Sequence, residues 1–272
     1  MEAKAIMITG EIIDLITHNG FGGKKAIVMS DKDQSCEYIV KCEKIGQSVN
    51  EFMAHSFLAA LGYSVPKANI IKITNRFDPN HALNTCEFKC YGGIEYIKDA
   101  HNISMKEIMI RSYDIKQLVY ELIFMKYIMN DSDEALQMMY SGSIGTFLVD
   151  LGETLISDVY IDLLIGRNAD SYLLDQVKSA LLQQYSLKNV NEYINRGTKA
   201  CMIYSDDRSE EIAELISTAR GKVLKRITML DNSRMKKCFD EIELVFGSAL
   251  AECFRLLFRE LRKNADIIIK QL

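Results

Sequence analysis

Near residue 100 the spacing of the apolar residues changes, and this change limits the folds open to the chain. Before it come short runs rich in β-branched and aromatic residues. Lys25-Ala26-Ile27-Val28-Met29, Glu37-Tyr38-Ile39-Val40-Lys41, Ala68 to Ile73 and Phe88 to Ile97 have strand character and are separated by polar or glycine-rich turns. After it, apolar residues recur every three or four positions over 103–110, 115–129, 156–165, 169–185, 209–230 and 236–270, which predicts helices. Both prolines, Pro66 and Pro79, precede residue 80, so no proline interrupts the later chain, which should be mostly helical. The pattern predicts an α+β chain: an antiparallel β lobe with one helix over residues 1–97, and a larger helical lobe over 98–272.

Within the first part, Ala5 to Thr17 is apolar and fits strand or helix. Asn19 to Lys25 holds Gly20, Gly22 and Gly23, a glycine-rich turn, and Ser30 to Asp33 a polar one. Residues 48–62 read as a helix that Gly62 ends. Ser48 with Glu51 three positions on resembles a capping box, so Glu51 either caps its own helix or reaches Lys41 at the end of the preceding strand. Residues 76–84 are loop-like. Tyr91-Gly92-Gly93-Ile94-Glu95-Tyr96-Ile97 reads as a strand running into a bend.

In the second part, Leu118 to Met125 is almost wholly apolar and should be central. It ends at the acidic turn Asn130-Asp131-Ser132-Asp133. Gln137 to Tyr140, a glycine-serine turn and Thr146 to Gly152 then read as a hairpin whose return strand ends in Asp150-Leu151-Gly152. Seventeen residues separate Asp133 from Asp150, so the hairpin can bring both carboxylates to one cleft. Asn168-Ala169-Asp170 reads as a helix-boundary cap. The stripe Phe239, Ile242, Val245, Phe246, Leu250, Phe254, Leu257 and Leu261 is core packing.

Composition removes several function classes. A net charge of −4 and a pI near 5.7 give no overall basic field for nucleic acid. Seven cysteines without CxxC spacing read as reduced thiols, and four scattered histidines form no metal-ligand cluster. No signal peptide and no membrane-length apolar run is present, which predicts a cytoplasmic protein.

Four pieces together resemble the HipA-like kinases and, more distantly, the phosphatidylinositol 3- and 4-kinases. They are the glycine turn before Tyr38-Ile39-Val40-Lys41, Asn50-Glu51 with Leu61-Gly62-Tyr63-Ser64-Val65-Pro66, Gly93-Ile94-Glu95-Tyr96-Ile97, and the acidic turn followed by Val149-Asp150-Leu151-Gly152. The resemblance covers about the first 155 residues. It implies a two-lobed protein-kinase-like fold and an ATP- and Mg²⁺-dependent phosphotransferase, with protein serine or threonine as acceptor in HipA-like members. It implies that Gly20, Gly22 and Gly23 cover the nucleotide, that Lys41 meets the α- and β-phosphates, and that Glu51 holds Lys41. It implies that Asp150 binds Mg²⁺ and that the backbone from Gly93 to Ile97 meets adenine.

The chain departs from the family at the catalytic loop. The family has Asp-Arg-His, two residues, then Asn; here the run is Asp133-Glu134-Ala135-Leu136-Gln137-Met138. Asp133 takes the place of the base, with Asp131 the alternative if the register shifts. Gln137 supplies a second metal ligand if one residue is deleted; strict spacing gives Met138, which cannot. Two other readings stay open: a nucleotide-binding pseudokinase acting as a regulatory or partner-binding protein, and an unrelated α+β binding or scaffold protein. ATP is the expected nucleotide partner; the protein substrate or regulatory partner is unidentified.

Overall fold

The computed structural model describes residues 8–16, 25–30, 36–42, 44–74, 90–104, 107, 113–131, 137–166, 170–205, 209–230 and 232–271. Five strands come first: β1 (Ile8–Ile16), β2 (Lys25–Ser30), β3 (Glu37–Lys41), β4 (Ala68–Ile73) and β5 (Cys90–Glu95). They curl into a closed sheet in the order β1-β2-β3-β5-β4. Four of the pairings are antiparallel, but β1 and β4 run parallel, with Ile8 opposite Ile71. A parallel pair needs a long crossover, and β2, β3 and one helix supply it. The sheet is therefore not purely antiparallel. The ambiguous first segment is a strand.

That helix, α1 (Ile45–Ala60), crosses the sheet and buries Val49, Phe52 and Met53 in the core, while Phe57 meets Phe258 from the C-terminal part of the chain, ring centroids 4.6 Å apart. Its closest approach is at Gly92 of β5. The Ser48 hydroxyl donates to the Gly92 carbonyl at 2.9 Å, and a Cβ on Gly92 would overlap the Ser48 carbonyl oxygen. The obstacle is backbone and cannot rotate away. Gly92→Ala should lower stability by about 1–3 kcal/mol, the cost of overpacking a filled core. Urea unfolding checks this, and an unchanged midpoint would count against the contact.

The remaining chain is mostly helical. A small sheet, β6 (His101–Asn102), β7 (Met138–Ser141) and β8 (Gly145–Leu148), includes the expected hairpin. Helix α2 (Tyr113–Ile128) precedes that hairpin, and Val119 to Met125 is buried without a break, including Glu121, which accepts from Gln117 and pairs with Arg226. A single 3-10 turn, Leu151–Glu153, follows the hairpin. Then come α3 (Asp158–Gly166), α4 (Ser171–Gln184), α5 (Leu187–Ser205), α6 (Glu210–Thr228), α7 (Asn232–Phe246) and α8 (Ser248–Ile269). The fold is α+β and two-lobed.

Several boundaries differ from expectation. The helix placed at 48–62 begins at Ile45, and Ser48 lies inside it. Helix α5 was not anticipated as a separate element. The run at 236–270 is two helices, broken at Gly247, which adopts φ 105°. Asp170 does cap α4: its carboxylate accepts the Leu173 N–H at 2.8 Å. The glycine turn at Gly20, Gly22 and Gly23, the loop over 76–84 and all but Glu107 of 105–112 lie outside the described residues. No described helix is long and apolar enough to cross a membrane.

Candidate active site

Strand alternation aims Lys41. Along β3, Tyr38 and Val40 turn into the core, while Ile39 and Lys41 line a cleft of about 520 Å³ between the curled sheet and the β7–β8 hairpin. Ile94, on β5 directly opposite Ile39, lines the same cleft. The Lys41 ammonium lies 2.9 Å from the Glu51 carboxylate and also pairs with Asp150.

Glu51 reaches Lys41 because it does not cap its own helix. It lies in the second turn of α1, buried, and its Oε1 accepts the Leu151 N–H at 3.1 Å. The capping-box expectation is thus overturned. Lys44 at the N-cap makes no side-chain cap; Asp162, from the far side of the chain, accepts the Gly46 N–H at 2.9 Å instead. A tertiary acceptor satisfies a first-turn donor that a local one would otherwise take.

Asp150 sits at φ 60° and ψ 44°, the left-handed region that aspartate tolerates better than most residues. The next residues are held by α1. Asn50, fully buried, donates through Nδ2 to the carbonyls of Gly152 (3.1 Å) and Ile156 (2.6 Å), and Gln47 donates to Glu153 at 3.0 Å. Gly152 passes so close that an added Cβ would stand 2.5 Å from the Lys41 nitrogen and 2.9 Å from the Gln47 Cβ.

The charges settle each other. Burial pulls the Lys41 pKa down, but the Glu51 and Asp150 carboxylates outweigh it and the net shift is upward. Burial pushes Glu51 up, and Lys41 reverses that, so the Glu51 carboxyl stays below its ordinary value. His55, one turn along α1, is buried, and burial lowers its pKa, leaving a neutral imidazole at pH 7 whose Nδ1 bonds the Glu51 carbonyl at 3.0 Å.

The bend after β5 is fixed from both sides. Glu95 N–H donates to Lys67 O (2.8 Å), Tyr96 N–H to Glu37 O (2.8 Å), and Ala100 N–H to Ile97 O (3.1 Å). Ile94, Glu95, Tyr96 and Ile97 all line the cleft. Gly93 does not; an added Cβ there would press on Ile71. Asn102, Gln137, Met139 and Phe147 form the opposite wall.

The fate of the acidic turn differs. Asp131 is 3% exposed, pairs with the equally buried Lys126 at 3.5 Å, and is not part of the cleft lining. Asp133 lies outside the described residues. Gln137 lines the cleft, and its carbonyl accepts the Val149 N–H at 3.1 Å, which sets it across the hairpin from Asp150. Among the described residues no group of three or more histidine, cysteine or acidic side chains could hold a metal alone. One carboxylate and one amide do suit Mg²⁺ shared with phosphate oxygens, because that ion keeps few protein ligands. Two residues at this site escaped sequence reading, Gln47 and Asn102, and Asn50 enters the sequence argument only within the Asn50-Glu51 pair, with no role of its own. Asn50 has a signal, an amide inside a helix between Val49 and Phe52, both buried.

No known protein family's sequence profile matches the chain, and no curated protein matches it. Among solved structures it is similar to the Helicobacter pylori proinflammatory kinase CtkA. The TM-score is 0.53 and the identity 11%, over 98% of this chain and 99% of that one. At that identity the likeness concerns the fold, which is kinase-like across the whole length.

Proposed function

We propose that the chain is an ATP- and Mg²⁺-dependent phosphotransferase of the HipA-like kind, with protein serine or threonine as acceptor, working in the cytoplasm. The observation that carries this reading is Lys41, held between Glu51 and Asp150 in a cleft that the fixed backbone bend after β5 also lines. Phosphoryl transfer asks mainly for charge neutralisation and positioning. Lys41 supplies a cation for the α- and β-phosphates. Glu51 keeps that cation in place. Ile94 and Ile39 offer apolar faces for a purine, and the Glu95–Ile97 backbone offers its edge. Asp150 with Gln137 would hold Mg²⁺, whose chemistry is to neutralise charge on the phosphates. Asp133 would take the proton from the acceptor hydroxyl.

A second reading, a pseudokinase that binds nucleotide and answers to a partner, has its own support. Asp131 is withdrawn into a buried pair with Lys126, and neither arginine nor histidine follows Asp133. Thermal shift with ATP and Mg²⁺, then transfer of labelled phosphate, separates the two. At a hundredfold excess over Kd, ATP with Mg²⁺ should add about 2.7 kcal/mol of stability. Stabilisation with transfer supports the enzyme, and stabilisation without transfer supports the pseudokinase. No stabilisation would refute both.

A further inference from the structure

Between the 3-10 turn that follows Asp150 and the first residue of α3 there are only four residues, Thr154 to Ser157. This short segment is not held by its own length. Thr154, 2% exposed, donates its hydroxyl to Leu151 O at 2.6 Å, and Leu155 adopts φ 56°, a costly conformation for a bulky side chain. Something else must fix the segment. Leu155 is held from one side: its N–H donates to Met129 O at 2.7 Å, and its carbonyl accepts from the Gln184 amide and the Tyr185 hydroxyl. The residues on either side of it, Gly152 and Ile156, are held by one side chain of α1. Asn50 uses both amide hydrogens, on Gly152 O and Ile156 O, and its Oδ1 accepts the Ile156 N–H at 3.4 Å. It therefore spans the segment from the residue two after Asp150 to the residue six after it. Glu51, the next residue of the same helix, holds Leu151 and Lys41.

We propose that Asn50 is a positioning residue: it fixes the backbone that follows Asp150 onto α1, so that the Asp150 carboxylate is already oriented for metal and nucleotide before either binds. This rests on the phosphotransferase reading and adds to it a control point 100 residues from the carboxylate it serves. Only a carboxamide does this. Aspartate keeps the acceptor for Ile156 N–H but loses both donors. Leucine has the volume and neither function. Serine is too short to span two carbonyls. Groups that orient a metal ligand from behind commonly cost about 10–100-fold in metal affinity when removed. Asn50 touches neither phosphate nor metal in this scheme, so metal-free nucleotide binding should barely change.

The experiment is calorimetric titration of ATP with and without Mg²⁺ against the full chain, Asn50→Leu, Asn50→Asp and Leu215→Ala. Leu215 is buried in α6, and its truncation lowers stability away from the cleft. The parent should gain affinity on adding Mg²⁺. The Asn50 variants should lose at least about tenfold of that gain. Leu215→Ala, at a similar or lower melting temperature, should keep it. Amide hydrogen exchange over 151–156 in the free protein should speed up in the Asn50 variants alone. Asn50→Ser, smaller and uncharged, joins the series and carries the comparison if neither Asn50→Leu nor Asn50→Asp folds, since a buried aspartate facing two carbonyl oxygens is itself costly. If the Asn50 variants keep the full gain, or if Leu215→Ala loses it equally, Asn50 positions nothing and the proposal falls. If the parent itself gains nothing from Mg²⁺, the phosphotransferase reading fails first, a result distinct from either.

Discussion

Asp150→Asn should erase the Mg²⁺-dependent part of ATP binding and lower phosphate transfer by at least about a thousandfold, an order-of-magnitude expectation for losing electrostatic stabilisation of a transferring group. The substitution is close to ideal as a probe. Asparagine tolerates the left-handed backbone that Asp150 adopts at φ 60°. It is the same size and still offers Lys41 an acceptor. The fold should therefore survive, with a melting temperature within a few degrees of the parent. What it lacks is the charge of the one protein carboxylate that would hold Mg²⁺ here. The competing account makes Asp150 no more than a counter-ion for Lys41, with which it pairs. The two accounts differ on metal-free ATP. A counter-ion removed frees Lys41 for phosphate, so metal-free affinity should rise and added Mg²⁺ should help as much as before. A ligand removed leaves Mg²⁺ nothing to add. Calorimetry with and without the metal decides, and a full Mg²⁺ gain in Asp150→Asn would end the assignment.

Much of this site was legible because it is built from local pieces in a fixed order. Lys41 ends a strand whose alternation places it with Ile39 on one face, and that is a property of five consecutive residues. Asp150 follows a hairpin whose two strands and turn are contiguous. The pairing of Lys41 with Glu51 needed only that a strand end and a helix come together across a short connection. What could not be read were the non-local substitutions for local rules. Ser48 and Glu51 have the spacing of a capping box, yet an aspartate 116 residues beyond Gly46 accepts a first-turn N–H, and both capping-box side chains bond elsewhere. The same is true of α5. Asn189, Asn191, Asn195, Gly197 and Thr198 weaken its helical propensity. It forms because Val190, Ile194 and Cys201 are buried in a helix that packs on α2, and packing overrides propensity. The break at Gly247 interrupts an apolar stripe that is continuous in sequence, so periodicity alone runs through it. Asp131 looked like a base because it stands in an acidic turn; its buried pairing with Lys126 depends on how the end of α2 packs.

Lys41→Met should separate what the lysine does for the fold from what it does for the nucleotide. Its side chain is 13% exposed and that of Glu51 11%, so the pair is largely out of water. Removing one partner of such a pair strands the other, at a cost of about 3–5 kcal/mol. The direction of the pH dependence identifies the cause. In the parent, the Glu51 pKa is held below its ordinary value despite burial, because Lys41 opposes it. That contribution is present above the unfolded carboxyl pKa and lost as pH falls through the folded one. Lys41, shifted upward by its two carboxylates, contributes stability that is complete below its unfolded pKa near 10.5 and lost only as pH rises beyond that, so it adds no slope near neutrality. In Lys41→Met the balance at Glu51 inverts. Burial and Asp150 then both push its pKa up, with His55, 3.8 Å away, left to oppose them when it is protonated. Protonating Glu51 now relieves the fold, and the variant should recover stability relative to the parent between pH 7 and pH 5. Adding Glu51→Gln should recover most of the loss at pH 7 and remove that extra pH response. Neither route restores the cation, so ATP affinity should stay low in single and double variants alike. Urea unfolding at both pH values, beside ATP titration, tests the pair. If Lys41→Met and the parent lose stability in parallel on acidification, Glu51 is not the stranded charge. If the double variant regains ATP affinity along with stability, Lys41 served the nucleotide only by holding the fold.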